Sequence, residues 1–461
     1  MTETIVSGSF RDPSGFLFRQ DGVLYRQVNQ TYREHYDQLM ASGLYQRLVD
    51  AGQLIPHEEV NVKPAADGAY KVLRPEPVAF VAYPYEWAFG QLKDAALTTL
   101  AIQQQALQFG MTLKDSSAYN IQFHRGKPVL IDTLSFEGYH PGEPWGAYRQ
   151  YCEHFLAPLA LMSYRDIRLN QLLRVYLDGI PLDLASSLLP RRSRLNFHLL
   201  LHLHLHAASQ KRYAKKPVRQ ESVSHKISRT GILGLVDSLE SLVSKLTWRP
   251  RGTPWADYYT SQDSRSAVTL DPKKQLVSDF LDRVKPASVW DMGANTGLFS
   301  RLASDKGIPT LSFDIDPACV EINYQTVKAR AETNLLPLLL DLTNPSPGIG
   351  WENRERAPLW ERGRADMVLA LALIHHLAIA NNLPLERLAR FFSRIGSSLI
   401  IEFVPRSDPN AQRLLATRQD VFGDYTRENF EREFGQRFVI QNVATIPNSV
   451  RTMYLMLRKQ P

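Results

Sequence analysis

Cysteine is nearly missing from this sequence: Cys152 and Cys319 are the two in 461 residues. So few thiols, so far apart, exclude the disulfide framework of a small secreted scaffold and fit a reducing cytoplasm. Long apolar runs are missing too. The most apolar segment, MVLALALIHHLAIA, is interrupted by His375 and His376 and falls short of the ~20 residues that a spanning helix needs, so membrane insertion is not expected. The opening MTETIVSGSF has neither the basic start nor the apolar stretch of a signal peptide. Charge of one sign is in modest excess. A net charge of +7 and a pI near 9.2 permit nucleic-acid contact without demanding it. The densest basic tract, Lys211 to Arg219, contains a proline and reads as a solvated linker, so nucleic acid is not the favoured partner. The G-x-G-x-x-G signature of an NAD-type dinucleotide turn is absent, and no internal repeat is evident.

What is present is enough apolar material, 44% of the residues, to bury more than one core. FLFRQ and VLYRQV flank Asp21-Gly22, which supplies the positive φ angles of a tight hairpin turn. Helical spacing of Tyr36, Leu39, Met40, Leu44 and Leu48 predicts a helix over Tyr32 to Ala51, closed by Gly52. A strand pair is expected at Tyr70 to Leu73 and Val78 to Tyr83, followed by a helix from Phe89 to Phe109. Residues 150–208 read as mainly helical. From 209 to about 260 the chain turns basic and Pro-, Ser- and Trp-containing, with one helix around Gly231 to Leu246, which suggests a connector. Beyond it ASVWDMG, PTLSFDI, LLPLLLDL, ADMVLALAL and SSLIIEFVP alternate with helical stretches, the pattern of a parallel sheet built from βαβ units. The expected division is an N-terminal domain at 1–208, a basic helical connector at 209–265 and an α/β domain at 266–461.

In that last domain a strand, a glycine-rich turn and a helix follow one another around Asp291, Gly293, Asn295 and Gly297. Glycines let backbone N–H groups approach a ligand closely. The Asp291 carboxylate disfavours a pyrophosphate and favours a ligand with a cationic amino-acid end. At the end of the next strand Asp314, rather than the neighbouring Asp316, is the better acceptor for two ribose hydroxyls. Asp341 ends the third strand, where it can accept from an adenine amino group. Together these residues resemble the class I S-adenosylmethionine-dependent methyltransferase family, whose D-x-G-x-G-x-G turn matches Asp291, Gly293, Asn295 and Gly297. Asn295 replaces the middle glycine and, like glycine, tolerates left-handed backbone angles. The resemblance implies a Rossmann-like domain with S-adenosyl-L-methionine as cofactor and a methyl acceptor, by O or N, that the sequence does not identify.

The fourth strand runs into His375 and His376, near the edge where the sulfonium methyl group of that cofactor would lie. An imidazole there is a candidate general base, the alternative being a packed histidine. Glu402, ending the fifth strand, is a second candidate at the same edge, for orienting a substrate or a histidine.

Asp115, Asn120 and Asp132 form another constellation. The spacing D-x-x-x-x-N, followed by a hairpin and another Asp, resembles the catalytic loop and metal-binding Asp of the protein kinase and aminoglycoside kinase families. By that resemblance Asp115 matches the base and Asn120 and Asp132 the metal ligands, and the region is α+β and kinase-like. Two departures make it a degenerate one. Arg11 to Gly15 stands where a glycine-rich loop belongs, and Arg26 replaces the phosphate-binding lysine, with Glu34 as its candidate partner. Mg-ATP binding is an expectation here, useful phosphoryl transfer is not. The order of the two regions also resembles a bacterial methyltransferase family related to nodulation proteins. His198, His202 and His206 share a helix face, but with no cysteine or carboxylate beside them they are read as packing rather than as a metal site.

Overall fold

The computed structural model describes residues 3–208, 227–250, 264–416 and 423–460, so the basic tract Lys211 to Arg219 and most of the 209–265 connector lie outside the described residues. The chain divides into two compact units, Met1–Arg249 with Gly348–Ala357, and Pro250–Pro347 with Pro358–Pro461.

The first unit opens with a five-stranded antiparallel sheet, ordered β1-β2-β3-β5-β4. Its strands are β1 (Glu3–Ile5), β2 (Gly15–Gln20), β3 (Val23–Asn29), β4 (His57–Glu59) and β5 (Ala69–Pro75). The β2–β3 hairpin turns at Asp21 (φ 50°) and Gly22 (φ 83°), the left-handed pair that matches the twist of its strands. The helix predicted across Tyr32 to Ala51 is two helices, Arg33–Ala41 and Leu44–Asp50. Gly43 breaks it at φ 84°. Val78 to Tyr83 forms no strand, because the prolines at 75, 77 and 84 remove ladder donors; β5 pairs with β3 and β4 instead. Val28, Tyr32, Tyr36, Leu73 and Leu134 form the core beneath the sheet. A 20-residue helix, Phe89–Gln108, follows, then the short strands β6 (Met111–Leu113), β7 (Ile121–His124), β8 (Lys127–Leu130) and β9 (Phe136–Gly138). Short helical pieces fill much of 148–208, and the helix Arg229–Lys245 ends the N-terminal stretch.

The second unit is a seven-stranded sheet in the order β12-β11-β10-β13-β14-β16-β15. The strands are β10 (Val289–Met292), β11 (Thr310–Asp314), β12 (Leu335–Leu339), β13 (Ala365–Ala370), β14 (Gly396–Phe403), β15 (Phe438–Thr445) and β16 (Thr452–Arg458). β10 to β14 pair in parallel, whereas β16 runs antiparallel between β14 and β15. The five parallel strands are the five apolar runs of the sequence. Of the last two strands, β15 alternates buried and exposed residues along one edge, which leaves a weaker apolar signal, whereas β16 carries a buried apolar run, Met453 to Met456, that the reading of the sequence passed over. Helices on the sheet bury Val277, Phe280, Phe299 and Ala303 against Val289, Met367 and Ile400. Strand order reverses beside β10, between β11 on one flank and β13 on the other, and at such a switch point the carboxyl ends of the strands leave a crevice. Among the described residues no helix is long and apolar enough to cross a membrane.

Candidate functional site

A cavity of about 260 Å³ lies in that crevice, lined by Gly293, Asn295, Asp314, Asp341, His375 and His376 among others. The turn after β10 takes the left-handed angles its sequence allows: Gly293 φ 77°, Asn295 φ 53° and Gly297 φ 80°. The two glycines serve different ends. Gly293 lines the cavity, and a Cβ on it would come 3.2 Å from Leu373 Cδ1. Gly297 is absent from the cavity wall. A Cβ there would strike the Asn323 side-chain amide at 2.5 Å, so its smallness serves packing rather than ligand approach.

The acids divide in the same way. Asp314 lines the cavity with both oxygens anchored by backbone N–H groups: Oδ2 accepts from Asn295 at 2.7 Å and Oδ1 from Asp316 at 2.8 Å. Burial raises its pKa to about 6, against the opposing pull of those donors. Asp316 instead caps the helix Pro317–Arg330 by accepting from Ala318 N, and is absent from the cavity wall. Asp291 also lies behind the wall. Its carboxylate accepts from Ser300 Oγ at 2.6 Å, and burial, reinforced by the charge of Asp314, pushes its pKa up to about 7. Asp341 lines the cavity, its Oδ1 held by Thr343 N and Thr343 Oγ1.

His375 is 1% exposed, and neither of its ring nitrogens has a hydrogen-bonding partner in the protein. Burial lowers its pKa to about 3, and the adjacent His376 ring, 4.1 Å away between centroids, lowers it further. The imidazole is therefore neutral in the free protein at neutral pH, with a lone pair free to accept a proton but a pKa below the near-neutral one expected from the sequence. His376 is lowered too, chiefly by burial.

Glu402 is fully buried and absent from the cavity wall. It pairs with Lys273 at 2.6 Å and Arg451 at 3.2 Å, and Arg451 in turn binds Asp408 at 2.7 Å. Against the cost of burial, these two cations hold its pKa down at about 2. Its Oε2 also accepts from the backbone N–H of Ala372, a residue at φ 50° in the loop that carries the histidines. Glu402 therefore positions that loop. Sequence reasoning missed Lys273, Asp408 and Arg451 because their partners lie more than forty residues away, beyond any local pattern. It also missed Asn381 and Asn410, two polar residues of the cavity wall that belong to no motif.

In the first unit, Asp115, Asn120 and Asp132 come together but are engaged by the protein itself. Asp132 Oδ1 pairs with Arg26 at 2.5 Å and accepts from Leu134 N, and its Oδ2 accepts from Ser135 Oγ at 2.6 Å. Arg26 thus takes Asp132 as its partner, and Glu34 is exposed. Asn120 donates to Ser135 Oγ, while Asp115 accepts from Ser117 N and has its pKa raised by burial and by the charge of Asp132. Arg11, where a phosphate-covering loop was sought, makes a bidentate pair with Glu355 at 2.7 and 2.9 Å. A Cβ on Gly15 would meet Gln27 O of the neighbouring strand at 2.1 Å, which is why a glycine stands there. Among the described residues no group of three or more His, Cys, Asp or Glu could hold a metal ion. His198 and His202 converge on Ser238 Oγ, each at 2.8 Å, and His206 stacks on Tyr148. A second cavity of about 250 Å³, lined by Ser163, Arg192 and Lys245 among others, contains none of the residues singled out in the sequence.

No family model matches the chain. It is 34% identical over 461 residues to the nodulation protein NoeA of Rhizobium meliloti (strain 1021), covering 99% of this chain and 96% of the relative. Among solved structures, the bifunctional kinase-methyltransferase WbdD aligns at 17% identity over 48% of this chain and 46% of its own, with a TM-score of 0.30. Magnesium protoporphyrin IX methyltransferase (ChlM) from Synechocystis PCC 6803 with bound SAM aligns at 17% identity over 44% of this chain and 95% of its own, with a TM-score of 0.29.

Proposed function

The chain belongs to the family of the nodulation protein NoeA, and we propose that it is an S-adenosylmethionine-dependent methyltransferase acting from the cavity of its second unit. One observation carries the reading. Asp314 lines a cavity at the switch point of the sheet, its carboxylate fixed by two backbone N–H groups so that its remaining lone pairs can meet a ligand's hydroxyl groups. In this reading Asp314 accepts from the ribose hydroxyls and Asp341 from the adenine amino group. The Gly293–Asn295 backbone lines the methionine end, and Asp291 and Asp316 hold the turn and the helix start behind them. When bound, S-adenosylmethionine supplies an electrophilic methyl group on a sulfonium. The protein's part is to fix the acceptor in line with that group and to exclude water, which converts a bimolecular encounter into an oriented one.

The N-terminal unit we read as kinase-like in arrangement and structural in use, because Arg26, Ser135 and Leu134 already occupy the carboxylate that would hold magnesium. A cytoplasmic location is proposed with it, supported by two free, buried cysteines. The methyl acceptor is the partner sought; no nucleic acid is proposed. Isothermal titration with S-adenosylmethionine and S-adenosylhomocysteine tests the reading. Saturable one-to-one binding that Asp314→Ala weakens at least tenfold is the expected result, and no binding of either compound overturns it.

A further inference from the structure

Resting on the methyltransferase reading, we infer that His375 is the acceptor-binding residue and that the methyl acceptor is an uncharged hydroxyl compound. Three observations converge on His375. It lines the cavity, it is 1% exposed, and neither Nδ1 nor Nε2 has a protein partner. A buried polar atom left without a hydrogen bond forfeits its hydration uncompensated, so two on one ring point to a ligand that supplies the missing bonds. The neighbouring wall is apolar, with Leu371, Leu373 and Leu377. The two nitrogens are thus buried polar handles without a protein partner, in a wall that also carries His376, Asn381 and Asn410.

The chemistry of the ring selects the ligand. Burial, His376 and Arg451 all oppose a proton on His375, while Glu402 and Asp408 favour one, and the balance leaves the imidazole neutral. A neutral imidazole presents one N–H donor and one lone pair. The lone pair requires a donor and the N–H an acceptor, a combination that hydroxyl groups provide. An alkylammonium has donors alone and no lone pair with which to attack. A carboxylate has acceptors alone, and would enter a cavity that already contains Asp314 and Asp341 while Arg451 is paired with Glu402 and Asp408.

The reaction then balances. The hydroxyl oxygen takes the methyl group as the C–S bond breaks with its electron pair left on sulfur. As the new C–O bond forms, the hydroxyl proton passes to the lone-pair nitrogen of His375. From there it is released to solvent as the products leave. Positive charge is lost at sulfur as it appears on the imidazole, so a base too weak to be protonated beforehand is adequate once the ether oxygen begins to form.

Three probes with one shape and different charge test this: cyclohexanol, cyclohexylamine and cyclohexanecarboxylate, titrated into full-length protein saturated with S-adenosylhomocysteine and followed by ¹⁵N-histidine NMR. Cyclohexanol is expected to bind at least tenfold more tightly than the other two and to shift both ring nitrogens of His375. His375→Phe is expected to abolish that binding, and His375→Asn, which keeps a donor and an acceptor, to restore it to within about tenfold. Tighter binding of the amine or the carboxylate, cyclohexanol binding unchanged in His375→Phe, or no binding of any probe overturns the inference. Failure of the wild-type protein to bind S-adenosylhomocysteine in the first step overturns the methyltransferase reading instead.

Discussion

Each unit of this molecule gathers acids at the ends of short strands, and the two gatherings have opposite fates. In the second unit Asp314 is anchored by two backbone N–H groups, and its carboxylate lines a cavity. In the first, Asp132 is closed by an arginine, a serine hydroxyl and a backbone N–H. Neutral backbone donors fix a carboxylate while leaving it a net anion with lone pairs to offer, whereas a guanidinium neutralises it and fills the space where a metal would stand. A motif match in the sequence marks the acid in both cases. What separates a binding acid from a structural one is the identity of the partner that holds it.

The comparison is tested most severely at Glu402, the acid of the second unit that behaves like those of the first. Glu402→Ala leaves Lys273 buried beside no carboxylate and Arg451 with Asp408 alone, and loss of one partner of a buried pair costs about 3–5 kcal/mol. Thermal unfolding is expected to show a stability loss of that size, and Glu402→Gln, which keeps an acceptor for Ala372 N–H, a smaller one. A fully stable Glu402→Ala protein would mean that this cluster does not hold the histidine loop. Next in size is Asp314→Ala, where a lost hydrogen bond to a charged acceptor costs about 1.5–3 kcal/mol, ten- to a hundredfold in S-adenosylmethionine affinity. Asp316→Asn, which keeps a side-chain oxygen for the helix cap, is expected to leave that affinity within about threefold, because N-cap asparagine and aspartate are nearly equivalent.

The third test follows from the raised pKa of Asp314, about 6 in the free protein. Hydroxyl donors bind the ionised carboxylate, so affinity is full above pH 6 and falls as pH drops through it, by about tenfold per unit. Asp291, pushed up to about 7, gains its proton over a neighbouring range and relieves repulsion on Asp314, which makes the descent less steep. Titrations at pH 5, 6 and 8 decide the matter: affinity rising toward acid pH would place the ligand's contact on another group.

The sequence displayed the parallel strands because these are largely buried on both faces and therefore mainly apolar. It displayed Asn295 as a left-handed residue, since that is a local property of the turn. It concealed whatever depends on distant partners. Gly297 reads as a ligand glycine until Asn323 is packed against it, and Glu402 reads as a catalytic acid until Lys273 and Arg451 arrive. Arg26 reads as a substitute for a phosphate-binding lysine, but its guanidinium meets Asp132. Residues 209–226, on which a linker reading rests, lie outside the described residues.

The smallest expected effect is at Asp132, and it is the one that can break the comparison outright. A nucleotide that bound the folded protein with a millimolar Kd would add about 1.4 kcal/mol of stability at ten times that concentration, a readable thermal shift. Because Arg26 and Ser135 engage the carboxylate, and Arg11 pairs with Glu355 where a phosphate cover would lie, no shift with Mg-ATP is expected for the wild-type protein. Asp132→Asn is expected to be less stable, since it leaves the Arg26 guanidinium without its anion, and to respond no differently to Mg-ATP. Phosphate release by the wild-type protein is expected to stay at background in the same samples. A Mg-ATP shift in the wild type that disappears in Asp132→Asn would mean that Asp132 exchanges the arginine for a metal on binding, and that an acid held by a cation can still be a binding acid.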